Sequence, residues 1–343
     1  MNIKSLLIGS AAALVAFTGA QAADAIVAAE PEPMEYVRVC DAFGTGFFYI
    51  PGTETCLKIG GFVRFQAGFG RDEYDQGYLK SGGASDWDTF TLVDVNFDAR
   101  TDTELGTLRS YINFEGVGGG TTGNDFYVDE AFLELGGFKA GWFYSWWDSG
   151  INGENDSLGN VTEFNSIAYT YDGGTWRAGI SLDEIEYDQD HAGVLDHHHD
   201  IGVAGTVGFS LGGVNLDVLG GYDNSVEEGA IRAILSADLG PGTLQVAGIW
   251  ASDANAYWDY SEWTVAASYA FKATEKLTIT PAVQYFDNLA FVDDTHQWRV
   301  GATVGYEVVS GLNILATADW NKVDTPVGND DFVRGFLRLQ RNF

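Results

Sequence analysis

Residues 57–69 read LKIGGFVRFQAGF and alternate between apolar and polar side chains. Apolar residues and one glycine occupy the odd positions, whereas the even positions include Lys58, Arg64 and Gln66. Because successive side chains of a β-strand point to opposite faces, the stretch predicts a strand with one apolar face and one polar face. A buried core does not accept charged side chains without partners, so the polar face is expected to meet water.

The same alternation continues to the end of the chain. In residues 91–102, valine and phenylalanine alternate with aspartate, asparagine and arginine, and residues 107–115 repeat the pattern after a tight connection. Pro281 is discordant, because it lies inside a predicted strand and cannot donate a ladder hydrogen bond. The sixteen predicted strands are 57–69, 89–102, 107–115, 125–135, 138–147, 162–172, 175–182, 201–210, 213–222, 230–239, 242–250, 261–271, 276–286, 297–308, 311–320 and 332–343.

The connections between these strands alternate between short glycine-containing turns and longer, often acidic segments. An even number of antiparallel strands joined in this way is typical of an outer-membrane barrel, with tight periplasmic turns and long extracellular loops. The sequence therefore predicts an all-β fold, a transmembrane antiparallel β-barrel of sixteen strands over residues 57–343.

A soluble β-sandwich or propeller would also alternate, but two features favour the membrane barrel. The last strand keeps its period of two up to Phe343, as expected if it pairs with the first strand and leaves no open edge. Large aromatic side chains also fall on apolar faces near strand ends, where they suit membrane interfaces. These aromatic residues are Trp250, Tyr269, Tyr285, Trp298, Tyr306 and Trp320.

The beginning of the chain has a different pattern. Lys4 precedes an apolar stretch at 6–17, and Ala20 and Ala22 form an A-x-A cleavage site. Residues 1–22 are therefore predicted to be a secretory signal. The alternative, a single transmembrane anchor, is disfavoured because the apolar stretch is short and no basic cluster follows it. Residues 23–56 would then be an N-terminal periplasmic segment ahead of the barrel.

The composition excludes several classes of function. The 343 residues include 49 Asp and Glu against 18 Lys and Arg, and this formal net charge of −31 argues against a nucleic-acid-binding surface. The chain lacks P-loop, G-x-S-x-G and H-E-x-x-H motifs, so we predict no enzymatic activity. Cys40 and Cys56 are expected to form a disulfide in an oxidising periplasm, with two buried thiols as the alternative. Two cysteines without suitably spaced histidines do not indicate a zinc site.

Two motifs, one at each end of the predicted mature chain, carry a family resemblance. Near the start of the mature chain stand PEPMEYVRVCD at 31–41 and GFFYIPGTETCL at 46–57, and the chain ends in GFLRLQRNF at 335–343. Both resemble the terminal signatures of alphaproteobacterial general porins. The resemblance implies a homotrimeric barrel in the outer membrane, in contact with lipid and lipopolysaccharide, for passive diffusion of small hydrophilic solutes. It also implies a Cys40–Cys56 disulfide near the periplasmic entry, and a place for Phe343 in the signal read by the barrel-assembly machinery.

In such a barrel the third long loop, residues 148–161, would fold into the lumen and form a constriction. Opposed charges across a narrow aqueous passage create a transverse field, and the acidic excess predicts weak cation selectivity. For each basic residue the alternative is a structural ion pair away from the narrowest point. The acidic candidates are Asp148, Glu154, Asp156 and Glu163. The basic candidates are Arg64, Arg100, Arg109, Arg177, Arg299, Arg334 and Arg338.

One departure from the family pattern concerns aromatic residues. The family tends to read Phe-x-x-Gly-Arg where this chain reads FKAGW at 138–142, so Trp142 replaces a basic residue. In the lumen, Trp142 would stack on sugar rings and narrow the pore, whereas on the outside it would belong to the aromatic girdle; we favour the lumen. Together with Trp146 and Trp147, it supports the alternative of a substrate-specific, sugar-type channel. A structural barrel with a blocked lumen is a third class.

Acidic residues also cluster in the fourth predicted long loop, as DEIEYDQD at 183–190 and DHHHD at 196–200. Such carboxylates could hold Ca²⁺ or Mg²⁺ shared with lipopolysaccharide at the outer-membrane surface. The histidines at 197–199 suggest a transition metal instead. Consecutive histidines in an extended loop point to different sides, however, which favours a solvated loop. We therefore predict no resident cofactor or metal centre.

Overall fold

The computed structural model describes residues 37–70, 86–119, 125–159, 163–187 and 198–343. Within these ranges, sixteen antiparallel strands form one closed sheet, and a two-residue strand pairs beside the first of them. Each predicted strand coincides with an observed one, so the sixteen-stranded barrel is confirmed. The strands are β1 (Phe48–Tyr49), β2 (Cys56–Gly70), β3 (Asp86–Thr103), β4 (Gly106–Gly118), β5 (Asp125–Leu135), β6 (Phe138–Tyr144), β7 (Glu163–Asp172), β8 (Trp176–Tyr187), β9 (His198–Leu211), β10 (Val214–Asp223), β11 (Glu228–Leu239), β12 (Gly242–Ala251), β13 (Ser261–Lys272), β14 (Leu277–Leu289), β15 (His296–Val309), β16 (Leu312–Thr325) and β17 (Gly328–Asn342).

The last strand closes the barrel on the first long one. Strand β17 pairs antiparallel with β2, from Gly70 opposite Arg334 to Phe62 opposite Asn342. The backbone N–H of Phe343 then donates to Gly61 O at 3.0 Å. Closure removes the unpaired edge that a strand would otherwise present to lipid.

The register separates an apolar outer face from a polar lumen. Residues directly opposite each other in a ladder share a face. Ile167, Leu182 and Val203 are such partners, and they are exposed apolar side chains of the outer face. Their neighbours Ser166 and Asp183 are buried on the lumen side. This alternation is the one expected for strands that face lipid outside and a polar channel inside.

Helices contribute little to the described part of the chain. None of the described helices has the length and apolar character needed to cross a bilayer.

The prediction of long extracellular connections is wrong at the end of the chain. Strand β16 continues to Thr325 and β17 begins at Gly328, so two residues connect them. Thr325 Oγ1 donates to Gly328 O at 2.8 Å and accepts from Val327 N at 3.3 Å, which stabilises a tight turn. The predicted strands 311–320 and 332–343 left residues 321–331, many of them polar, as a connection. The polar residues belong to strands because the lumen of a barrel accepts polar side chains.

Pro281 lies inside β14, where it is paired with Ala302 of β15. On its other side, the ladder with β13 is interrupted between the pair Ser268 and Ala282 and the pair Phe271 and Ile279. Proline has no backbone N–H to donate, so it is tolerated at an interruption of this kind.

The described part of the N-terminal segment packs around a disulfide. Cys40 and Cys56 are bonded, with their Cα atoms 6.0 Å apart, and both are buried with Phe47. Arg38 lies over the ring of Tyr49, 3.7 Å from its centroid. The predicted signal, with its cleavage site at Ala20 and Ala22, and residues 23–36 lie outside the described residues.

Candidate functional site

Loop 3, described at residues 145–159, enters the barrel immediately after β6 and begins three residues earlier than predicted. Ser145 caps a short 3₁₀ turn, Trp146–Asp148, by accepting from Trp147 N at 3.2 Å. The predicted fifth strand therefore ends at Tyr144, before this turn. Trp147 and Leu158 have no exposed surface, and they pack in one cluster with residues from the barrel wall. Loop 3 is thus held inside the lumen by burial of its own apolar side chains.

Arg232 on β11 holds both ends of the described part of loop 3. It is 3% exposed and donates to four acceptors with two nitrogens. Nη1 donates to the carbonyls of Trp147 and Leu158, at 2.7 and 3.0 Å. Nη2 donates to the carbonyl of Trp146 at 2.6 Å and to Ser149 Oγ at 2.9 Å. Sequence reasoning missed Arg232, because its neighbours on the same strand face are apolar.

The middle of loop 3 is bound by polar side chains on three separate strands. Each is an uncharged lumen-facing residue that accepts a backbone N–H of the loop. The bonds run from Asn152 N to Gln245 Oε1 (2.6 Å), from Glu154 N to Thr303 Oγ1 (2.9 Å) and from Ser157 N to Gln284 Oε1 (2.8 Å).

A cavity of about 390 Å³ lies between loop 3 and the barrel wall. Asp148, Glu154 and Asp156 line it from the loop, and Arg334 and Arg338 line it from β17. Arg338 Nη1 lies 3.2 Å from Glu154 Oε1, so an ion pair joins loop 3 to the barrel wall. Arg334 is in turn paired with a β16 carboxylate at 3.1 Å, that of Asp319.

The other basic candidates lie elsewhere in the lumen. Arg100 and Arg109 both bind Asp98, at 2.6 and 3.0 Å, and Arg109 also binds Glu134 at 2.8 Å. For each basic candidate, the sequence analysis gave a structural ion pair as the alternative to a place in the constriction. Arg100 and Arg109 form ion pairs of this kind.

Three more arginines complete the set. Arg177 is paired with Asp217, and Arg64 donates to Gln340 at 2.8 Å. Arg299 is 1% exposed and supports loop 3 from behind, by donating to Ser157 Oγ at 2.6 Å. The acidic candidate Glu163 lies opposite Tyr144 at the start of β7 and does not line the cavity beside loop 3.

Comparison with known proteins gives the family to which this barrel belongs. A family model described as the porin subfamily matches residues 24–333. The chain belongs to this porin subfamily. It is 45% identical to outer membrane protein IIIA of Rhizobium leguminosarum bv. viciae, over 96% of this chain and 92% of that protein. It is 36% identical to porin Omp2a of Brucella suis, over the full length of both.

A solved structure has the same fold. The outer membrane channel DcaP of Acinetobacter baumannii superposes with a TM-score of 0.70 at 14% identity, over 86% of this chain and 99% of that one. Our chain is therefore an outer-membrane porin, a channel and not an enzyme.

The three tryptophans proposed as pore residues occupy three different environments. Trp142 pairs with Ala131 and Asn165 on the outer face, which it shares with the exposed Leu133 and Ile167. The lumen orientation predicted for Trp142 is therefore wrong, because the register gives the lumen position to its glycine neighbour.

The two loop tryptophans differ in exposure. Trp147 is fully buried behind loop 3, so it cannot contact a solute. Trp146 is half-buried and lines a cavity of about 540 Å³, together with Glu134, Lys139 and Phe143. Trp146 is thus the one of the three candidate tryptophans that lines this cavity.

The fourth extracellular connection of this porin starts later than predicted. Strand β8 runs to Tyr187, and Asp183 is 1% exposed in the barrel wall, bonded to Ser166 Oγ at 2.6 Å. Asp183 is therefore not a surface cation ligand. Glu184 lies 3.1 Å from His199. Residues 188–197, which carry most of the acidic stretch and His197, lie outside the described residues, as does the side chain of His198.

The constriction of this porin is expected to respond to pH through Asp156. Burial raises the pKa of its carboxyl to about 6. Asp156 should lose most of its negative charge between about pH 7 and about pH 5, so cation selectivity should fall over that range. A folded-state pKa above that of the unfolded chain means that protonation stabilises loop 3, so loop release is not the cause.

The check is the reversal potential in a salt gradient at both pH values, for the wild type and for Asp156→Asn. The variant should be less cation-selective at about pH 7 and should lose this pH dependence. An equal pH response in both proteins would assign the effect to other groups.

Proposed function

We propose that this porin is a general diffusion channel for small hydrophilic solutes and ions, with weak cation selectivity. The observation that carries the proposal is loop 3, which is fixed inside the lumen and presents carboxylates to a cavity of about 390 Å³ beside the barrel wall. A loop fixed in the lumen narrows the channel, so the rate of passage should depend on the size and charge of the solute.

The ion pair between loop 3 and the barrel wall supplies a physical mechanism. Glu154 on loop 3 and Arg338 on β17 are in direct contact at 3.2 Å. No solute fits between them, so the field that orients dipolar solutes acts in the lumen beside the pair. An apolar solute gains nothing from this field and would displace water that solvates the charges.

Cation selectivity follows from the pairing of the arginines. Asp98, Glu134, Asp217 and Asp319 bind arginine side chains, which offsets much of the positive charge in the lumen. The remaining carboxylates add to a formal net charge of −31 for the chain. A channel with excess negative charge raises the local concentration of cations.

We further propose that three copies assemble in the outer membrane, in contact with lipid and lipopolysaccharide. The resemblance of the terminal motifs to general porins supports this assembly. Phe343, which continues the last strand, would belong to the signal that the barrel-assembly machinery reads.

Planar bilayers test the proposed selectivity. We expect large ohmic steps, often in threes, with a reversal potential of cation sign. Glu154→Gln should lower the cation-to-anion permeability ratio, and the matched variant Arg338→Gln should raise it. A unit charge at 4 Å in water contributes about 1 kcal/mol, so the ratio should change by up to about fivefold. A reversal potential of anion sign in the wild type would contradict the proposal.

A sugar-specific channel is the second candidate, and the position of Trp146 in the cavity of about 540 Å³ favours it. Saturable block of the current by one class of oligosaccharide would support this candidate.

A further inference from the structure

A second loop folds into the barrel beside loop 3. Residues 252–260, which we call loop 6, read SDANAYWDY and connect β12 to β13 at the same end of the barrel as loop 3. A connection at a barrel rim is expected to expose its side chains to water. Tyr257 and Trp258 are instead 0% and 1% exposed, and both belong to the apolar cluster that contains Trp147 and Leu158 of loop 3. Loop 6 is therefore part of the packing that surrounds loop 3.

Asn255 gives loop 6 a fixed shape. It is 4% exposed, and its Oδ1 accepts from the backbone N–H groups of Tyr257 and Trp258, at 3.1 and 3.2 Å. The backbone groups of Asn255 also exchange two hydrogen bonds with those of Trp258, both at 3.1 Å. Asparagine stabilises turns in this way, by bonding to the backbone two residues further along. The turn that presents Tyr257 is thus held by bonds within loop 6 itself.

Tyr257 bridges loop 3 and the barrel wall. Its ring centroid lies 5.9 Å from that of Trp147 on loop 3 and 5.6 Å from that of Phe164 on β7. Its hydroxyl donates to the buried carboxylate of Asp183 on β8, at 2.7 Å. Because a buried carboxylate is costly when it loses a donor, this bond fixes the position of the ring.

The barrel wall leaves room for Tyr257. Gly202 on β9 and Gly221 on β10 occupy lumen-facing positions beside the ring. A β-carbon at position 221 would lie 2.5 Å from the ring of Tyr257, and one at position 202 would overlap its hydroxyl. Glycine weakens the interior of a strand and often marks the close approach of another group. Here the group is the side chain of loop 6, so wall and loop are shaped for each other.

Arg299 connects the far ends of the two loops. Its Nη1 donates to Ser157 Oγ of loop 3 at 2.6 Å, and its Nη2 donates to the hydroxyl of Tyr260 of loop 6 at 3.2 Å. Loop 6 therefore acts on loop 3 at two places, directly at Trp147 and through Arg299 at Ser157.

We propose that loop 6 sets the size limit of the pore, with Tyr257 as a residue that positions loop 3. Trp147 lies between the guanidinium of Arg232, 5.2 Å from its ring, and the ring of Tyr257. Removal of the Tyr257 ring would open a cavity beside Trp147, and loop 3 could move into it and widen the pore. The inference goes beyond the proposed function, because a loop held in this way limits solute size whatever the charge selectivity.

Hydrogen exchange of the purified full-length protein tests the proposal. Tyr257→Ala should speed the exchange of loop 3 amides at 150–158 by about tenfold or more, while amides of the strand ladders keep their rates, since exchange follows local opening. Tyr257→Phe keeps the ring but removes one donor from Asp183, so its effect should be smaller. Gly221→Val fills the space of the ring from the wall and should also speed exchange. It provides a second test if Tyr257→Ala does not fold.

The matched control is Tyr222→Ala, next to Gly221 on the same strand but 47% exposed on the outer face. Its loop 3 exchange should stay within about twofold of the wild type, as for most surface substitutions. Unchanged loop 3 exchange in both Tyr257→Ala and Gly221→Val would overturn the proposal.

A double variant distinguishes positioning from a general contribution to stability. If Tyr257 acts through Trp147, the variant with both changed to alanine should exchange within about twofold of Trp147→Ala alone, because the effects of contacting residues do not add. Additive effects would overturn the proposal. In liposome swelling, Tyr257→Ala should admit oligosaccharides faster relative to monosaccharides, and unchanged size exclusion would also overturn it. Hydrogen exchange needs no ion conduction, so its result is separate from the test of the proposed function.

Discussion

Replacement of Arg232 by methionine is expected to detach loop 3 from the barrel wall and to widen the pore. The guanidinium is buried and donates to the carbonyls of Trp146, Trp147 and Leu158. Methionine fills much of the volume but donates nothing, and each buried carbonyl left without a donor costs about 1–3 kcal/mol. The loss should therefore reach several kcal/mol for the bound state of loop 3.

The barrel itself should remain folded, because its strand ladders do not depend on loop 3. Heat-modified mobility in gels checks folding, and single-channel recordings with liposome swelling check the pore. We expect noisier currents and faster entry of oligosaccharides relative to monosaccharides. Unchanged size exclusion would show that the apolar contacts of loop 3 are sufficient to hold it.

Two further variants distinguish the effect of the positive charge of Arg232 from the effect of its hydrogen-bonding geometry. Arg232→Lys keeps the positive charge, but an ammonium cannot donate to four acceptors in a planar fork, so only partial rescue is expected. Arg177→Met removes a lumen arginine that is paired with Asp217 on the wall. It should keep the size exclusion of the wild type. A widened pore in Arg177→Met would point to a general effect of lumen charge.

The strands could be predicted from sequence because the alternation of apolar and polar residues is visible within each strand. Alternation within residues 57–69 is local, and so is the alternation within residues 332–343 that predicts the last strand. Neither inference needs knowledge of distant contacts. Even the strand that contains Pro281 was found, because its remaining residues keep the period of two.

The anchoring of loop 3 could not be predicted in this way. Arg232, Gln245, Gln284 and Thr303 are single polar residues on separate strands, and they converge only after the sheet closes around the loop. Their spacing along the chain has no period that indicates a common partner. The ion pair between loop 3 and the wall could not be predicted either, since Arg338 and Glu154 are separated by 184 residues in the sequence.

The prediction that Trp142 faces the lumen is wrong for a local reason. Residues 138–144 read FKAGWFY, where small and aromatic residues do not define two faces. Pairing with Phe132 and Ser166 assigns Gly141 to the lumen, which directs Trp142 outward. Only the register of the neighbouring strands resolves such a segment.

The second large effect is expected from Trp147→Ala. The indole has no exposed surface and packs against Tyr257, with ring centroids 5.9 Å apart, and Arg232 lies 5.2 Å from its ring. Truncation of a buried tryptophan to alanine costs about 3–5 kcal/mol. Because the cavity would form between loop 3 and the wall, the loss should fall on the attachment of the loop and leave the barrel folded.

Trp146→Ala is the informative partner of this substitution, because the adjacent Trp146 is half-buried and lines the cavity. In a general diffusion channel, Trp147→Ala should raise current noise and oligosaccharide entry, whereas Trp146→Ala should change both only slightly. In a sugar-specific channel, Trp146→Ala would abolish saturable block by the sugar while the current stays quiet, since stacking on its ring would be lost. The two variants therefore distinguish a tryptophan that positions loop 3 from one that contacts the solute. Quiet currents and normal size exclusion in Trp147→Ala would show that hydrogen bonds to the wall, rather than apolar packing, hold the constriction in place.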